Sequence, residues 1–401
     1  MKDMPIFHYA TDEEIRKGET TDIYFLRTKQ VLEAKRMTKV HAYAEVTPGK
    51  LPRDWPWGIL CGIEEEAYLF EGCPVDIYAM PEGSVFYHED YRGIREPTMY
   101  VEGPYGEFCL LETPLLGLLC QASGVATRAA RVKKVAREKL VLAFGIRRMH
   151  PALSPMLDRA AYIAGCDGVS SLSGAKIISA KPMGTMPHAL IIAFGDQVKA
   201  WKAFDEVMSN DVPRVALIDT YYDEKAEAIL AAEALKKRLY GVRLDTPASR
   251  KGDFAEIVRE IRWELDVRGY ERTKIFVSGG LDEETIGILS EAGAEAFGIG
   301  TAISNAPTVD FGMDIVEMNG KPVAKRGKLS GKKQVWRCPK CLTDTVQLFD
   351  LPAPKCSKCG SKTESMLKPL IKKGKIVAKL PTPKAIRRYV LEQLEKLTLE
   401  V

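Results

Sequence analysis

Two glycine turns, Val277-Ser-Gly-Gly-Leu281 and Phe297-Gly-Ile-Gly-Thr301, decide the fold of this sequence. Each follows a short apolar run, at residues 275–278 and 296–299, and a helical pattern at 283–292 separates them. Strands that alternate with helices in this way are typical of a parallel α/β sheet or barrel. Glycine lets the main chain approach an anion, and the start of a helix favours negative charge. The two turns therefore predict a phosphate site, although either one could simply be a tight turn.

The same alternation extends toward the N-terminus. Further apolar runs occupy residues 141–145, 169, 215–219 and 240–244, with helical patterns at 224–238 and 253–268. In such folds the chemistry lies at the carboxyl ends of the strands, so polar residues that follow these runs become candidates. They are Arg147, Arg148, Ser170, Ser171, Asp219, Asp245, Ser278, Gly279, Gly280, Gly300 and Thr301.

The first part of the chain has a different pattern. Short β-type runs broken by Gly and Pro, such as 42–46, 76–80 and 83–87, predict a small β-rich domain. Near Glu112 the pattern changes to helical spacing over 115–139, which predicts a helix that opens a second domain. A basic, leucine-containing stretch at 382–397 predicts a packed amphipathic helix whose charged face is solvated.

Four of the nine cysteines form two knuckles, Cys338-Pro-Lys-Cys341 and Cys356-Ser-Lys-Cys359. Four thiolates at this spacing predict a closed, structural Zn²⁺ site without an open position for catalysis. Zinc ribbons bind nucleic acid in some proteins, but no series of aromatic residues for base stacking accompanies these knuckles. A stabilising clip is therefore the favoured interpretation. The other cysteines are scattered among apolar or small residues, as reduced core cysteines are.

Composition is that of a globular protein. Hydrophobic residues make up 46% and charged residues 28% of the chain, and the formal net charge of +4 is small for 401 residues. This balance excludes a disordered or fibrous protein and gives no reason to invoke a nucleic-acid or membrane surface. The sequence contains no uncharged apolar run of about eighteen residues and no signal-peptide pattern, so we expect a cytoplasmic protein without membrane contact.

Three further motifs carry groups that suit catalysis or anion binding. Phe144-Gly-Ile-Arg147-Arg148 places a ring and two guanidinium groups at a strand end, which suits a flat heterocycle and an anion, or else a core ring and a capping arginine. Arg243-Leu-Asp245 puts a cation and an acid on one face of a strand, as a site or as a plain ion pair. Gly184-Thr-Met-Pro-His188 contains one of only five histidines, and chemistry alone leaves catalysis and a structural role open.

Taken together, these segments resemble the nicotinate phosphoribosyltransferase family, in a compact form with a cysteine knuckle. The matching stretches run from residue 20 to about 301, and their order makes the match more specific than any one of them. They are Thr20-Thr-Asp-Ile-Tyr24, Glu112-Thr-Pro-Leu-Leu-Gly117, Phe144-Gly-Ile-Arg-Arg148, Gly165-Cys-Asp-Gly-Val-Ser-Ser171, Gly184-Thr-Met-Pro-His188, Arg243-Leu-Asp245 and the two glycine turns.

The resemblance implies the α/β fold of the second class of phosphoribosyltransferases. In this fold an incomplete (β/α) barrel-like catalytic domain, here 113–330, lies beside a β-rich N-terminal domain, here 1–112, that the C-terminal helix 366–401 completes. A small zinc ribbon would occupy 331–365. Members of the family generally form homodimers or higher homo-oligomers whose active sites are shared between subunits.

The resemblance also implies a role for each matching residue. His188 corresponds to the histidine that ATP phosphorylates, and Arg243 and Asp245 lie near the ribose and pyrophosphate. The residues around the substrate would be Tyr24 (from the neighbouring subunit), Phe144, Arg147, Ser170 and Asp219, with Ser278, Gly279, Gly280, Gly300 and Thr301 around the 5-phosphate. Ser170 stands where relatives that use nicotinamide carry Asp, which favours nicotinate. Ala189 and Leu190 follow His188 where many relatives have a hydroxyl or an acid, a departure that concerns the ATP coupling and not the identity of His188.

The implied reaction joins nicotinate to phosphoribosyl pyrophosphate with Mg²⁺, in NAD biosynthesis, and couples it to ATP hydrolysis through a phosphohistidine. The closest alternative is a quinolinate phosphoribosyltransferase, which must bind two carboxylates; the segment Gly184–His188 speaks against it. A nicotinamide enzyme is a second alternative. A more distant one is a zinc-ribbon nucleic-acid-binding protein built on a catalytically inactive barrel.

Overall fold

The computed structural model of the protein describes residues 6–250 and 252–399. They form two compact units. The β-rich unit contains the described residues up to Thr127 and from Pro307 onward, and the α/β unit spans Arg128–Ala306. The domain division at 112 and the separate module at 331–365 stay predictions.

The helices and strands of the described residues are numbered here in chain order. The helices are α1 (Asp12–Arg16), α2 (Ile23–Ala34), α3 (Ile63–Phe70), α4 (Tyr105–Phe108), α5 (Glu112–Ala136), α6 (Ser154–Ile163), α7 (Leu172–Ile177), α8 (His188–Phe194), α9 (Gln197–Val207), α10 (Glu224–Leu235), α11 (Phe254–Asp266), α12 (Glu283–Glu291), α13 (Thr301–Ser304) and α14 (Pro383–Leu394). The strands are β1 (His41–Pro48), β2 (Gly58–Ile59), β3 (Asp76–Ala79), β4 (Val85–Phe86), β5 (Met99–Pro104), β6 (Leu140–Ala143), β7 (Gly168–Val169), β8 (Arg214–Leu217), β9 (Leu239–Leu244), β10 (Lys274–Ser278), β11 (Ala296–Ile299), β12 (Phe311–Met318), β13 (Lys321–Pro322), β14 (Lys333–Arg337), β15 (Asp344–Leu348), β16 (Glu364–Ser365), β17 (Lys368–Lys372) and β18 (Lys375–Ile376).

The α/β unit contains a six-stranded parallel sheet in the order β7-β6-β11-β10-β9-β8. Its central strands β9, β10 and β11 are buried almost throughout, as parallel strands covered by helices are. Neighbours in a parallel sheet end at the same edge, so the polar residues that follow these strands lie along one rim. The predicted α/β architecture with an incomplete barrel is confirmed.

The β-rich unit is built on a seven-stranded sheet in the order β13-β12-β1-β5-β3-β17-β18, whose neighbouring strands pair antiparallel. Strands from both ends of the chain share this sheet. Its main core contains, among others, Tyr43, Phe70, Met99, Phe108 and Val335. The predicted β-rich domain is therefore confirmed. The prediction of a helix over 366–401 is wrong for its first part, where β17 and β18 extend the sheet beside β3, and the helix α14 spans only Pro383–Leu394.

The helical stretch Tyr105–Ala136 meets the length and hydropathy requirements of a membrane span, and 56% of its most apolar window is buried within the structure. Leu115, Leu119, Val125 and Ala129 in this stretch are completely buried. A long apolar helix with this burial is typical of a core helix.

The segment that carries the clustered cysteines forms a three-stranded sheet, in the order β15-β14-β16, within the β-rich unit. Arg337 on β14 is buried and donates two hydrogen bonds to Asp344 on β15, one of them from Nε to Oδ1 at 2.8 Å. The same guanidinium lies 3.8 Å from the Glu96 carboxylate, which is completely buried. A buried charge network of this kind ties the cysteine segment to the remainder of its unit.

Candidate active site

A cavity of about 460 Å³ opens at the rim where the parallel strands end. All of its lining residues belong to the α/β unit. They are Phe144, Ile146, Arg147, Arg148, Ser170, Gly184, Thr185, Met186, Pro187, Arg243, Asp245, Ser278, Gly279, Gly280, Gly298, Gly300 and Thr301. The fold thus brings together most of the residues that the sequence predicts for the site.

The first glycine turn contributes backbone that only glycine adopts easily. Gly279 and Gly280 have φ values of +84° and +69°, in the left-handed region. The turn leads into α12, whose first residue, Glu283, accepts hydrogen bonds from Arg128 Nη1 (2.6 Å) and Arg131 Nη2 (2.9 Å). Sequence reasoning did not find this buried pair of arginines. It holds the start of the helix and hence the turn before it.

The second glycine turn is shaped by close packing. A Cβ at Gly298 would lie 2.5 Å from the Phe144 ring, so no side chain fits there without displacing that ring. Gly300 precedes α13, and its carbonyl accepts hydrogen bonds from Ile303 N and Ser304 N. The glycine at 298 therefore makes room for an aromatic ring, while the turn at 300 opens a short helix.

Arg243 is the centre of the polar network in the cavity. Its guanidinium is largely buried and donates to Ser278 Oγ (3.1 Å) and to the Met186 carbonyl (3.0 Å). It also lies 3.4 Å from Asp245 Oδ2. Burial lowers the pKa of Arg243, while Asp245 acts in the opposite direction. The contact to Met186, which sequence reasoning did not find, links Arg243 to the turn before His188.

Two carboxylates lie beside this arginine. Asp245 Oδ1 accepts a hydrogen bond from Ser278 Oγ (2.9 Å), and Asp219 Oδ2 accepts one from the Asp245 main-chain N–H (2.6 Å). Burial raises the pKa of Asp219, against the hydrogen bond from Asp245 and the neighbouring His188. Asp219 Oδ1 is buried and has no hydrogen-bond partner among the described residues. This pair of carboxylates offers oxygen ligands for a divalent cation.

His188 is the first residue of α8 and lies next to Asp219 without lining the cavity. Its Nδ1 is 3.1 Å from Thr220 Oγ1, and its Nε2 is 3.8 Å from Asp219 Oδ1. The His188 side chain is 37% exposed, whereas that of Asp219 is 2% exposed. The imidazole therefore remains accessible while both of its nitrogens face oxygen atoms. Thr220 is a neighbour that the sequence motif did not indicate.

The remaining predicted residues divide into two groups. Phe144, Arg147 and Ser170 line the cavity, with Arg147 exposed on a short 3-10 turn and Ser170 half-buried. Tyr24 belongs to the β-rich unit, where it lies on α2 with 56% of its surface exposed. Thr301, at the start of α13, is exposed at the cavity wall.

The four clustered cysteines converge in the β-rich unit, with their sulfur atoms all within 4.8 Å of one another. The Sγ atoms of Cys338 and Cys359 are 3.5 Å apart, as are those of Cys341 and Cys356. A tetrahedral Zn²⁺ with Zn–S bonds of about 2.3 Å would separate its sulfurs by roughly 3.8 Å. The donor set and its spacing therefore fit a tetrathiolate zinc site.

Comparison with known families and relatives gives a consistent result. The family models for the N-terminal and C-terminal domains of quinolinate phosphoribosyl transferase match residues 22–123 and 125–314. Nicotinate phosphoribosyltransferase pncB2 of Mycobacterium tuberculosis (strain H37Rv) is 34% identical over 274 residues, which cover 65% of this chain and 57% of the relative. The nicotinate phosphoribosyltransferase of Bacillus subtilis (strain 168) is 32% identical over 278 residues, which cover 65% and 54%. The chain thus spans a little over half the length of these curated relatives.

Among solved structures, a nicotinate-nucleotide pyrophosphorylase from Pyrococcus furiosus is 54% identical to this chain. The match covers 99% of this chain and 100% of that one, with a TM-score of 0.95. Human nicotinic acid phosphoribosyltransferase shares the fold, with a TM-score of 0.74 at 20% identity over 95% of this chain and 94% of that one.

Proposed function

Since the chain belongs to the nicotinate phosphoribosyltransferase family, we propose that it joins nicotinate to phosphoribosyl pyrophosphate. The products are nicotinate mononucleotide and pyrophosphate, in the synthesis of NAD. The observation that carries this proposal is the arrangement of Arg243, Asp245 and Ser278 between two glycine turns, in a cavity that also contains a ring and two exposed arginines.

The pyridine ring of nicotinate packs on Phe144, and its carboxylate pairs with Arg147, which is exposed to the cavity. Ser170 is neutral, so it tolerates the negative charge of an acid. In the same place a carboxylate would accept a hydrogen bond from nicotinamide but repel nicotinate. Arg147 and Arg148 at the rim match the two carboxylates of quinolinate in number, so the arginines do not separate the two acids. The quinolinate reaction is the alternative to test, because the matching family models carry that description.

The phosphoribosyl group lies between the glycine turns and the acidic pair. Main-chain N–H groups around Gly279, Gly280, Gly300 and Thr301 bind the 5-phosphate. Arg243 stabilises the negative charge of the departing pyrophosphate from a largely buried position. Asp219 and Asp245 would hold Mg²⁺, which neutralises the leaving group when bound.

His188 accepts a phosphoryl group from ATP in the coupled form of the reaction. Imidazole is a nucleophile at neutral pH, and His188 is accessible beside Asp219. Zn²⁺ at Cys338, Cys341, Cys356 and Cys359 stabilises the β-rich unit and takes no part in the chemistry. The enzyme works in the cytoplasm as a homodimer or a higher homo-oligomer, and Tyr24 of one subunit completes the pyridine site of another.

The decisive experiment incubates purified protein with phosphoribosyl pyrophosphate and Mg²⁺, and with nicotinate, nicotinamide or quinolinate in separate reactions. Nicotinate and quinolinate both yield nicotinate mononucleotide, but only quinolinate releases CO₂, so each substrate is supplied alone. We expect product from nicotinate, with a rate that rises when ATP is added. Product from quinolinate alone would replace the proposal with its alternative, and product from none of the three would refute both.

A further inference from the structure

The carboxylate of Asp158 does not line the substrate cavity but binds Ser171, the residue that follows Ser170 of the cavity wall. Asp158 lies on α6 and is 1% exposed. Its Oδ2 accepts two hydrogen bonds from Ser171, one from the main-chain N–H (3.1 Å) and one from the hydroxyl (2.5 Å). Both donors of one residue thus converge on a single carboxylate oxygen.

Ser171, which Asp158 holds in place, also forms the start of α7. Its hydroxyl oxygen accepts a hydrogen bond from Gly174 N (2.8 Å) and so caps the helix. Because this hydroxyl donates a hydrogen bond to Asp158, its oxygen is oriented to accept one from the helix. A Cβ at Gly174 would lie 2.3 Å from the Asp158 Cβ, so the helix start and the carboxylate are in direct contact.

Ser170 immediately precedes Ser171, whose hydrogen bonds to Asp158 are called the clamp below. On its other side, β7 ends at Val169, whose carbonyl accepts a hydrogen bond from Met183 N (2.8 Å). Ser170 is therefore fixed at both ends by main-chain contacts, and its own side chain lines the cavity. Small movements of Ser171 would move Ser170 with it.

A buried carboxylate is an energetically unfavourable group with which to hold a helix cap. Asp158 Oδ1 is buried and has no hydrogen-bond partner among the described residues, and burial raises the pKa of this carboxyl group. A buried oxygen without a hydrogen-bond partner destabilises the folded state, and an ordinary helix cap does not require one. Costs of this kind are tolerated where a group must be held in one place for function.

We propose that Asp158 is a positioning residue for substrate selection: through Ser171 it holds Ser170 at the point where the cavity distinguishes an acid from an amide. This inference rests on the proposed nicotinate transfer. Asp158 touches neither the substrate nor the reacting atoms. Its contribution is to the apparent affinity for the pyridine and not to that for phosphoribosyl pyrophosphate.

The test compares Asp158→Asn, Ser171→Ala and the double variant with the unmodified protein. Each single change should raise the KM for nicotinate about tenfold, the effect of losing one hydrogen bond to a charged group, and lower the preference for nicotinate over nicotinamide. The KM for phosphoribosyl pyrophosphate should stay within about twofold. The double variant should be no worse than the more damaging single variant, because both changes remove the same contact. Ser171→Thr keeps the hydroxyl and should retain most of the preference.

Asp196→Asn is the matched control, because the carboxylate of Asp196 supports a helix start by capping α9 directly and does not line the cavity. Its substrate preference should not change. Equal rises in both KM values for Asp158→Asn, or a lower melting temperature with an unchanged preference, would overturn the inference in favour of a purely structural role.

A crystal structure of Asp158→Asn tests the same idea without any activity measurement. Displacement of Ser170 by more than about 1 Å, the scale that matters for substrate positioning, is the expected result. An unmoved Ser170 would overturn it. Failure of the proposed function is recognised separately, since the unmodified protein would then make no nucleotide from nicotinate.

Discussion

Replacement of Ser170 by aspartate is the sharpest test of the substrate assignment. The side chain is half-buried and lines the cavity, so the new carboxylate would share that space with the carboxylate of nicotinate. Two like charges then repel each other in a site that is only partly exposed to water. Nicotinamide, which has no charge, would not be repelled and could donate a hydrogen bond to the new group.

The magnitude follows from the size of the cavity. A volume of about 460 Å³ corresponds to a sphere roughly 10 Å across, so two carboxylates inside it lie less than about 10 Å apart, and about 6 Å is a middle value for their separation. At that separation the repulsion is about 0.7 kcal/mol in a water-like dielectric of 80 and about 2.8 kcal/mol at an effective value of 20. We therefore expect kcat/KM for nicotinate to fall by roughly 3- to 100-fold.

The assay measures kcat/KM for nicotinate and for nicotinamide with phosphoribosyl pyrophosphate saturating. Ser170→Asn is the control, because it is nearly the same shape as aspartate but has no charge. The difference between the two variants should shrink as the salt concentration rises, since ions screen an open site. Equal kinetics for the Asp and Asn variants would refute the electrostatic argument, and unchanged nicotinate kinetics in both would place Ser170 outside the pyridine site.

Three further changes test other parts of the molecule. His188→Ala should abolish the stimulation by ATP and the labelling of the protein from γ-labelled ATP. Slow ATP-independent transfer should persist, because the glycine turns and Arg243 remain. Equal labelling of both proteins would exclude His188 as the acceptor. Cys341→Ser should release Zn²⁺ and lower the melting temperature, whereas Cys73→Ser, outside the cluster, should leave the metal content unchanged; metal analysis that finds no zinc in the unmodified protein would contradict this assignment. Burial raises the pKa of Glu66 well above its ordinary value of 4.5, so its contribution to stability is fully present below that value and is lost as the pH rises through the folded-state pKa. The free energy of unfolding, measured with urea at pH 5 and at pH 8, should therefore fall more for the unmodified protein than for Glu66→Gln. An equal change in the two proteins would show that Glu66 is not buried in the acid form.

Most of the fold could be predicted from local pattern. The alternation of apolar runs with helical spacing around Gly279 and Gly300 predicts parallel strands, because side-chain periodicity reflects which faces are buried. The spacing of Cys338, Cys341, Cys356 and Cys359 predicts their convergence for a similar reason, since two short knuckles can present four thiolates to one ion. The strands that the C-terminal segment adds to the β-rich sheet did not follow from pattern, because pairing between distant strands depends on contacts that no short window contains.

Local pattern was enough to identify the residues that could form the site. The glycine turns and the pair Arg243 and Asp245 lie at strand ends in the parallel arrangement, and the histidine follows a Gly/Pro turn. How these residues are held depends on tertiary contacts. The contact of Arg243 with the Met186 carbonyl, the clamp of Asp158 on Ser171, and the hydroxyl beside His188 join segments far apart in the chain. These contacts form because buried polar groups need hydrogen-bond partners. Which donor lies next to which acceptor depends on how the whole chain packs, and a short stretch of sequence does not contain that information.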